Sequence, residues 1–236
     1  MLTRTQLQPN TSGNTTIARS PAWANRAAPA SGQDALVEVL EMMGAAMSYG
    51  RNEEIYGEDE PAEFLYLVKT GAVRTYKLLN DGRRQIGAFH LPGDIFGLEV
   101  GDQHRFTAEA ISDSTVLVVK RSTLVSLATR KAELAGQLWA LTAQELAHVQ
   151  ELMLTLGRKN AQERVAAFLL EMAGRAPAGA AIELPMSRQD IADYLGLTIE
   201  TVSRTLTQLE NAAAIVLQSA RRIVLRNRGA LSRLNV

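Results

Sequence analysis

Ala192, Gly196 and Val202 stand at the spacing that a helix-turn-helix requires. A small residue sits where two helices touch, a glycine supplies the positive backbone angle of the turn, and a branched apolar residue faces back onto the first helix. The flanking residues agree. Ser187 and Asp190 have capping-box spacing, which predicts a helix over Arg188–Leu195 that stops at Gly196, and Thr198 caps a second helix running to about Glu210. In the second helix Ile199, Val202, Leu206 and Leu209 are expected to form one buried stripe, while Glu200, Ser203, Arg204 and Thr207 share the opposite, outward face. A carboxylate accepts from the amine of cytosine, a guanidinium donates two bonds to guanine, and a small Ser lies against a thymine methyl. Glu200, Ser203 and Arg204 therefore suit the reading of base edges in a major groove. On an isolated helix such a face is ordinarily just solvated; the turn spacing and the basic surround favour readout.

Ile215–Leu217 and Arg222–Leu225 predict a hairpin turning at Ser219, Ala220 and Arg221, a wing beside the two helices. Arg221 and Arg222 on the wing, with Ser187, Arg188, Thr198 and Thr201 at the two helix starts, are the candidate phosphate contacts. Arg226 and Arg228 follow on the same segment. Such contacts add affinity and salt dependence rather than sequence choice. A cysteine in place of Ser187 would be activated by the helix end and by Arg188. The charge balance points the same way. The whole chain is neutral, but residues 158–236 carry 11 Lys and Arg against 7 Asp and Glu, a net +4, and residues 1–157 carry a net −4.

Upstream the chain reads differently. Nine of the 17 glycines fall between Gly44 and Gly101, and between them lie short β-prone runs at 64–68, 72–78, 84–91 and 115–120. Asn80-Asp81-Gly82 is a hairpin turn signal, so a β-roll is expected over roughly residues 50–120. Its lead-in is a short amphipathic helix from Asp34 bearing Leu36, Val37, Leu40 and Met43. Residues 1–33, rich in Thr, Asn, Ser, Pro and Ala, read as a flexible extension.

After Arg121 the period becomes helical. Ala135, Trp139, Thr142, Leu146, Val149, Met153 and Leu156 step by alternating fours and threes, an a/d seam, and Leu134, Leu138, Leu141 and Leu152 form a second stripe beside it. One stripe docks the helix on its own domain; the other is left to meet a second copy. Trp139, Thr142, Leu146, Val149, Met153 and Leu156 are the candidate dimerisation residues. A further helix follows Asn160 with Val165, Phe168, Leu169 and Met172, then a loop from Gly174 to Ala181.

Several chemistries are excluded by composition. With no cysteine there is no disulfide, iron–sulfur ligation or thiol nucleophile. No apolar run, Ala212–Leu217 included, approaches the ~18 residues of a membrane span. No secretory signal is visible, so a cytoplasmic location is expected. His90, His104 and His148 form no ligand-spaced pair, which argues against haem. No nucleophile–base pair, metal cluster or phosphate-cradling loop is evident, so no enzyme and no cofactor is expected.

From residue 36 to 232 the chain resembles the CRP/FNR superfamily of bacterial transcription regulators. The resemblance lies in Leu65-Tyr66-Leu67-Val68-Lys69-Thr70-Gly71-Ala72-Val73-Arg74, in Asp81-Gly82-Arg83-Arg84-Gln85-Ile86, in Pro92-Gly93-Asp94-Ile95-Phe96-Gly97, in the long helix, and in the run from Arg188 to Arg204. It implies an α+β chain with a jelly-roll β-roll like a cyclic-nucleotide-binding domain, a dimerisation helix and a C-terminal winged helix-turn-helix. The corresponding segments are 34–130, 131–157 and 158–236.

Glu200, Ser203 and Arg204 match the Glu-x-x-Ser-Arg pattern of FNR-type proteins, which implies recognition of a TTGAT inverted repeat. The cyclic-nucleotide pocket motif is displaced, with Glu99 and Arg105 of the right types at the wrong positions; surface roles are the expectation for both. Lacking the cluster cysteines but keeping the DNA code, the chain looks like the FixK type, regulators of low-oxygen respiration, denitrification and nitrogen fixation. The resemblance also implies a contact of Asn80, Asp81, Arg83 and Arg84 with RNA polymerase, against a plain hairpin turn. The expected function is a homodimeric transcription activator on double-stranded DNA with no obligatory effector. The alternative is a ligand-gated regulator of the same fold.

Overall fold

A computed structural model describes residues 34–99, 101–176 and 181–235. The extension at 1–33 and part of the loop expected between Gly174 and Ala181 lie outside the described residues. Helix α1 (Asp34–Met43) leads into eight strands: β1 (Ala45–Tyr49), β2 (Glu54–Tyr56), β3 (Phe64–Thr70), β4 (Val73–Leu78), β5 (Arg84–His90), β6 (Ile95–Phe96), β7 (Thr107–Ala110) and β8 (Ser114–Lys120). They pair antiparallel in two four-stranded sheets, ordered β1-β8-β3-β6 and β2-β7-β4-β5.

Apolar side chains alternate inward along the strands, and Tyr56, Tyr66, Val68, Val73, Phe96, Ala108, Ala110 and Val116 fill the roll between the sheets. The sharp turn between β3 and β4 depends on Gly71. Its φ is +82°, and a Cβ there would stand 2.2 Å from the Ser114 hydroxyl. That hydroxyl bonds the Ala72 amide at 3.1 Å, so turn and strand are closely fitted. At the other end of β4 the expected hairpin turn forms at Asn80-Asp81-Gly82, with Gly82 at φ +83° and the Leu79 amide donating to the Arg83 carbonyl at 2.8 Å.

Helix α2 (Arg121–Ala128) precedes α3 (Ala132–Arg158), the long helix. Leu134 and Leu141 of α3 are buried with Leu36, Leu40, Leu65, Leu67, Leu117, Val119 and Leu124, a second core between α1, α2, α3 and the outer face of the β1-containing sheet. Gln137 joins them, its side-chain oxygen accepting from the Leu36 amide at 2.7 Å. Among the described residues no helix is long and apolar enough to cross a membrane.

Helix α4 (Ala161–Arg175) begins in a capping box of Asn160 and Glu163. It packs with α5 (Arg188–Leu195), α6 (Ile199–Asn211), α7 (Arg228–Leu234) and a small sheet. That sheet is β10 (Ile215–Leu217), β11 (Arg222–Leu225) and β9 (Ile182–Glu183), in the order β10-β11-β9. The third core joins Phe168, Tyr194, Val202, Leu206 and Leu209 to Ile86 and Phe89 of the roll, so the C-terminal domain sits directly on β5.

The structure corrects four readings. The roll starts at Ala45 and includes β1, β2, β6 and β7, which the β-prone runs missed. Gly174 continues α4 instead of opening the loop. Ile199 is 37% exposed, because it is the first residue of its helix and projects beyond the contact; Thr205 is buried instead. Glu99 is not on the surface: its side chain is only 14% exposed and lies beside buried His104, 3.2 Å from Oε1 to Nδ1. Arg105 is exposed as read.

Candidate nucleic-acid interface

Short-range bonds build the helix-turn-helix. The Ser187 hydroxyl accepts from the Asp190 amide at 3.1 Å, and the Asp190 carboxylate accepts in return from the Ser187 amide at 2.9 Å. These fix the first turn of α5. Gly196 ends the helix in the left-handed region at φ 61°, ψ 41°, and the Leu197 amide reaches back to the Ala192 carbonyl at 3.0 Å. Thr198 then caps α6 by accepting from the Thr201 amide at 3.2 Å. Ala192 and Val202 are fully buried where α5 and α6 meet.

With that inner face fixed, the outer face of α6 is set as well. Glu200 and Arg204 are exposed one turn apart, and Ser203 is half-buried between them. The Glu200 carboxyl is held below the ordinary carboxylate range by the helix amide, then by Thr198 and Arg204. It is an ionised acceptor at neutral pH, as a partner for an exocyclic amine must be. Thr207 is exposed on the same face, its hydroxyl donating to the Ser203 carbonyl at 3.1 Å.

The phosphate candidates surround this face. Thr198 is exposed, Thr201 and Ser187 half-buried. Arg188 is half-buried, and its Nε has no hydrogen-bond partner among the described residues. Arg221 and Arg222 stand at the exposed wing turn, where the Arg222 Nε lies 3.3 Å from the Glu183 carboxylate. The wing is tied to α6 by the Leu217 amide, which donates to Glu210 at 2.8 Å.

Away from the wing, α3 turns one stripe inward and leaves the other uncovered. Trp139 is 77% exposed and Met153 64%, with Leu146, Val149 and Thr142 also exposed; Leu156 is half-buried near the α5–α6 turn. Asn80, Asp81 and Arg83 are exposed at the β4–β5 tip, where Arg83 Nε donates to Asp81 at 2.7 Å. Arg84 departs from them. It points into α5, with Nη2 2.7 Å from Asp190 Oδ1 and Nε donating to Asp193 at 2.8 Å.

Two positioning groups escaped the sequence reading. The first is this Arg84–Asp190 contact, which also takes in Arg74. The second is Arg164 on α4. It donates from Nη2 to the Leu156 carbonyl at 2.9 Å and from Nη1 to the Leu195 carbonyl at 2.8 Å, capping the ends of α3 and α5 with one guanidinium. Neither has a recognisable sequence signal, because the partners lie 5 to 116 residues away and those of Arg164 are backbone carbonyls.

Comparisons with known proteins agree with this architecture. Residues 163–234 match the Crp-like helix-turn-helix domain family, and residues 46–131 the cyclic nucleotide-binding domain family. The chain is 53% identical over 203 residues to the nitrogen fixation regulation protein FixK of Azorhizobium caulinodans, covering 84% of this chain and 82% of that one. To the FixK of Rhizobium meliloti it is 45% identical over 194 residues, covering 79% and 89%. The solved structure of FixK2 from Bradyrhizobium japonicum superposes with a TM-score of 0.79 at 60% identity, covering 82% of this chain and 98% of that one. The relatives are transcription regulators and not enzymes, and this chain belongs to the CRP/FNR family as a regulator of the FixK type.

Proposed function

We propose that the chain is a homodimeric, sequence-specific transcription activator that reads a TTGAT inverted repeat and needs no obligatory effector. The observation that carries this is the outer face of α6, where Glu200, Ser203 and Arg204 stand on a helix whose inner face is locked by Val202, Leu206 and Leu209. Two copies joined along the uncovered α3 stripe would present two such helices about 34–36 Å apart, one turn of DNA, with the dimer axis on the operator dyad. Ser187, Arg188, Thr198, Thr201, Arg221 and Arg222 hold phosphates and set the register. Asn80, Asp81 and Arg83 at the exposed hairpin tip offer the polymerase contact, while Arg84 beside them serves the domain interface. The names of the FixK relatives support target genes of nitrogen fixation, and the location is the cytoplasm, where those genes are.

A second reading, ligand gating through the roll, has one observation in its favour. Glu99 Oε2 and His104 Nε2 are buried without a hydrogen-bond partner among the described residues. Against it, the exposed Arg105 cannot supply the buried guanidinium that a cyclic phosphate needs. Titrating the ligand-free protein onto operator duplex separates the two: selective binding without additive supports the first reading, and binding only with an added nucleotide supports the second.

A further inference from the structure

The C-terminal domain meets the roll through a buried ionic joint. Asp190 on α5 is 3% exposed. Its Oδ1 is shared by two arginines of the β4–β5 hairpin, Arg74 Nη1 at 2.9 Å and Arg84 Nη2 at 2.7 Å. Arg74 also pairs with Glu109 on β7, and Arg84 with Asp193 one turn along α5. Beside them Gln85 donates to the Tyr194 carbonyl at 3.2 Å, and Arg175 at the end of α4 pairs with Asp94 and donates to the Phe89 carbonyl at 3.0 Å. Under this layer the rings of Phe89, Phe168 and Tyr194 pack at 5.2 to 6.3 Å between centroids.

The division of labour at Asp190 is the informative part. One oxygen faces the roll arginines. The other accepts from the Ser187 amide and hydroxyl, at 2.9 and 2.7 Å, and so holds the first turn of α5 in shape. A single carboxylate thus links the roll to the residues that begin the helix-turn-helix. Such a joint is close to all-or-none, since a buried charge that loses its partner is strongly unfavourable. With the joint closed, Glu200, Arg204 and the α3 stripe all remain uncovered.

We propose that the Arg74–Asp190–Arg84–Asp193 joint locks the helix-turn-helix onto the roll in its DNA-binding orientation, doing within the chain what an effector would otherwise do. The inference rests on the reading of α6 as the base-reading helix. Arg84 is here a positioning residue, acting through Asp190.

The test uses the full-length protein, with Arg84→Glu, Asp193→Arg and the two combined. Arg84→Glu should weaken binding to a TTGAT inverted-repeat duplex at least about tenfold and speed amide exchange across α5. The combined exchange should recover only part of that loss, because it restores the 84–193 pair while the new carboxylate at position 84 still faces the buried Asp190. Should Arg84→Glu fail to fold, Arg84→Met carries the same expectation in milder form. Unchanged or tighter binding by the folded single variant overturns the proposal, as does a loss of binding with no change in α5 exchange. The unaltered protein distinguishes the two levels: if it shows no preference for the duplex, the base-reading assignment fails, and the joint stands or falls on whether α5 exchange responds to Arg84.

Discussion

Replacing Leu146 by Ala tests the α3 stripe where the structure gives the size of the effect. Leu146 is 58% exposed in the protomer, so somewhat over half of its side chain is available to a partner. The substitution removes three carbons, each worth roughly 0.8 kcal/mol when buried, and counting only the exposed part leaves about 1.4 kcal/mol per protomer. A symmetric dimer loses this twice, about 3 kcal/mol, or roughly a hundredfold in the dimer dissociation constant. Leu141, five residues earlier and 4% exposed, is the matched control. Leu141→Ala leaves a cavity in the protomer and should cost about 2–5 kcal/mol of folding stability while leaving the dimer constant nearly unchanged. Sedimentation equilibrium over a range of protein concentrations reads the first effect, and denaturant unfolding reads the second. If Leu146→Ala dimerises like the unaltered protein while Leu141→Ala does not, the inward and outward faces of α3 have been assigned the wrong way round.

Three further outcomes are expected. Glu200→Ala and Arg204→Ala should each cost about 1–3 kcal/mol on the operator and relax base preference, whereas Arg221→Ala should weaken all duplexes alike and lower the salt slope by about one; competition binding at two salt concentrations separates these. Gly71→Ala forces a Cβ against Ser114 at a positive φ, so it should destabilise the roll by several kcal/mol, read as a lowered melting temperature. Burial alone would raise the Asp190 pKa, but the bonds from Ser187 and the charges of Arg74 and Arg84 outweigh it and hold the carboxyl below its ordinary 3.8. A carboxyl depressed in the folded state contributes stability that is present above its unfolded pKa and is lost as pH falls through the folded value. Denaturant unfolding from pH 5 downward should therefore show an acid loss that is smaller in Asp190→Asn.

The helix-turn-helix was legible because each of its determinants is local. Ser187 bonds a residue three positions away, and Gly196 and Thr198 act on their own turns, so residue type and spacing suffice. Strands β3, β4, β5 and β8 were legible for a related reason, being rich in Val, Leu, Ile, Phe and Tyr. Strand β7, Thr-Ala-Glu-Ala, has weak intrinsic preference, and β2, Glu-Ile-Tyr, is only three residues long; they exist because β2 pairs with β7 and β7 with β4. The two stripes of α3 were visible in its periodicity, and the structure turns Leu134 and Leu141 inward and leaves Trp139 and Met153 outside. The joint around Asp190 was hidden, because Arg74 and Arg84 lie more than 100 residues away. In sequence Asp190 reads only as a cap, and Arg84 as part of an exposed turn or of a polymerase contact.

Fluorescence anisotropy of the ligand-free protein tests the central claim most directly. It would be titrated at near-physiological salt onto a TTGAT inverted-repeat duplex, a duplex carrying the operator type of cyclic-AMP receptors, and a scrambled one. Tight binding to the first, weaker by tenfold or more on the other two, is the result predicted by a base-reading α6 held ready without effector. Equal binding to all three, or binding to the first only after a nucleotide is added, would contradict it.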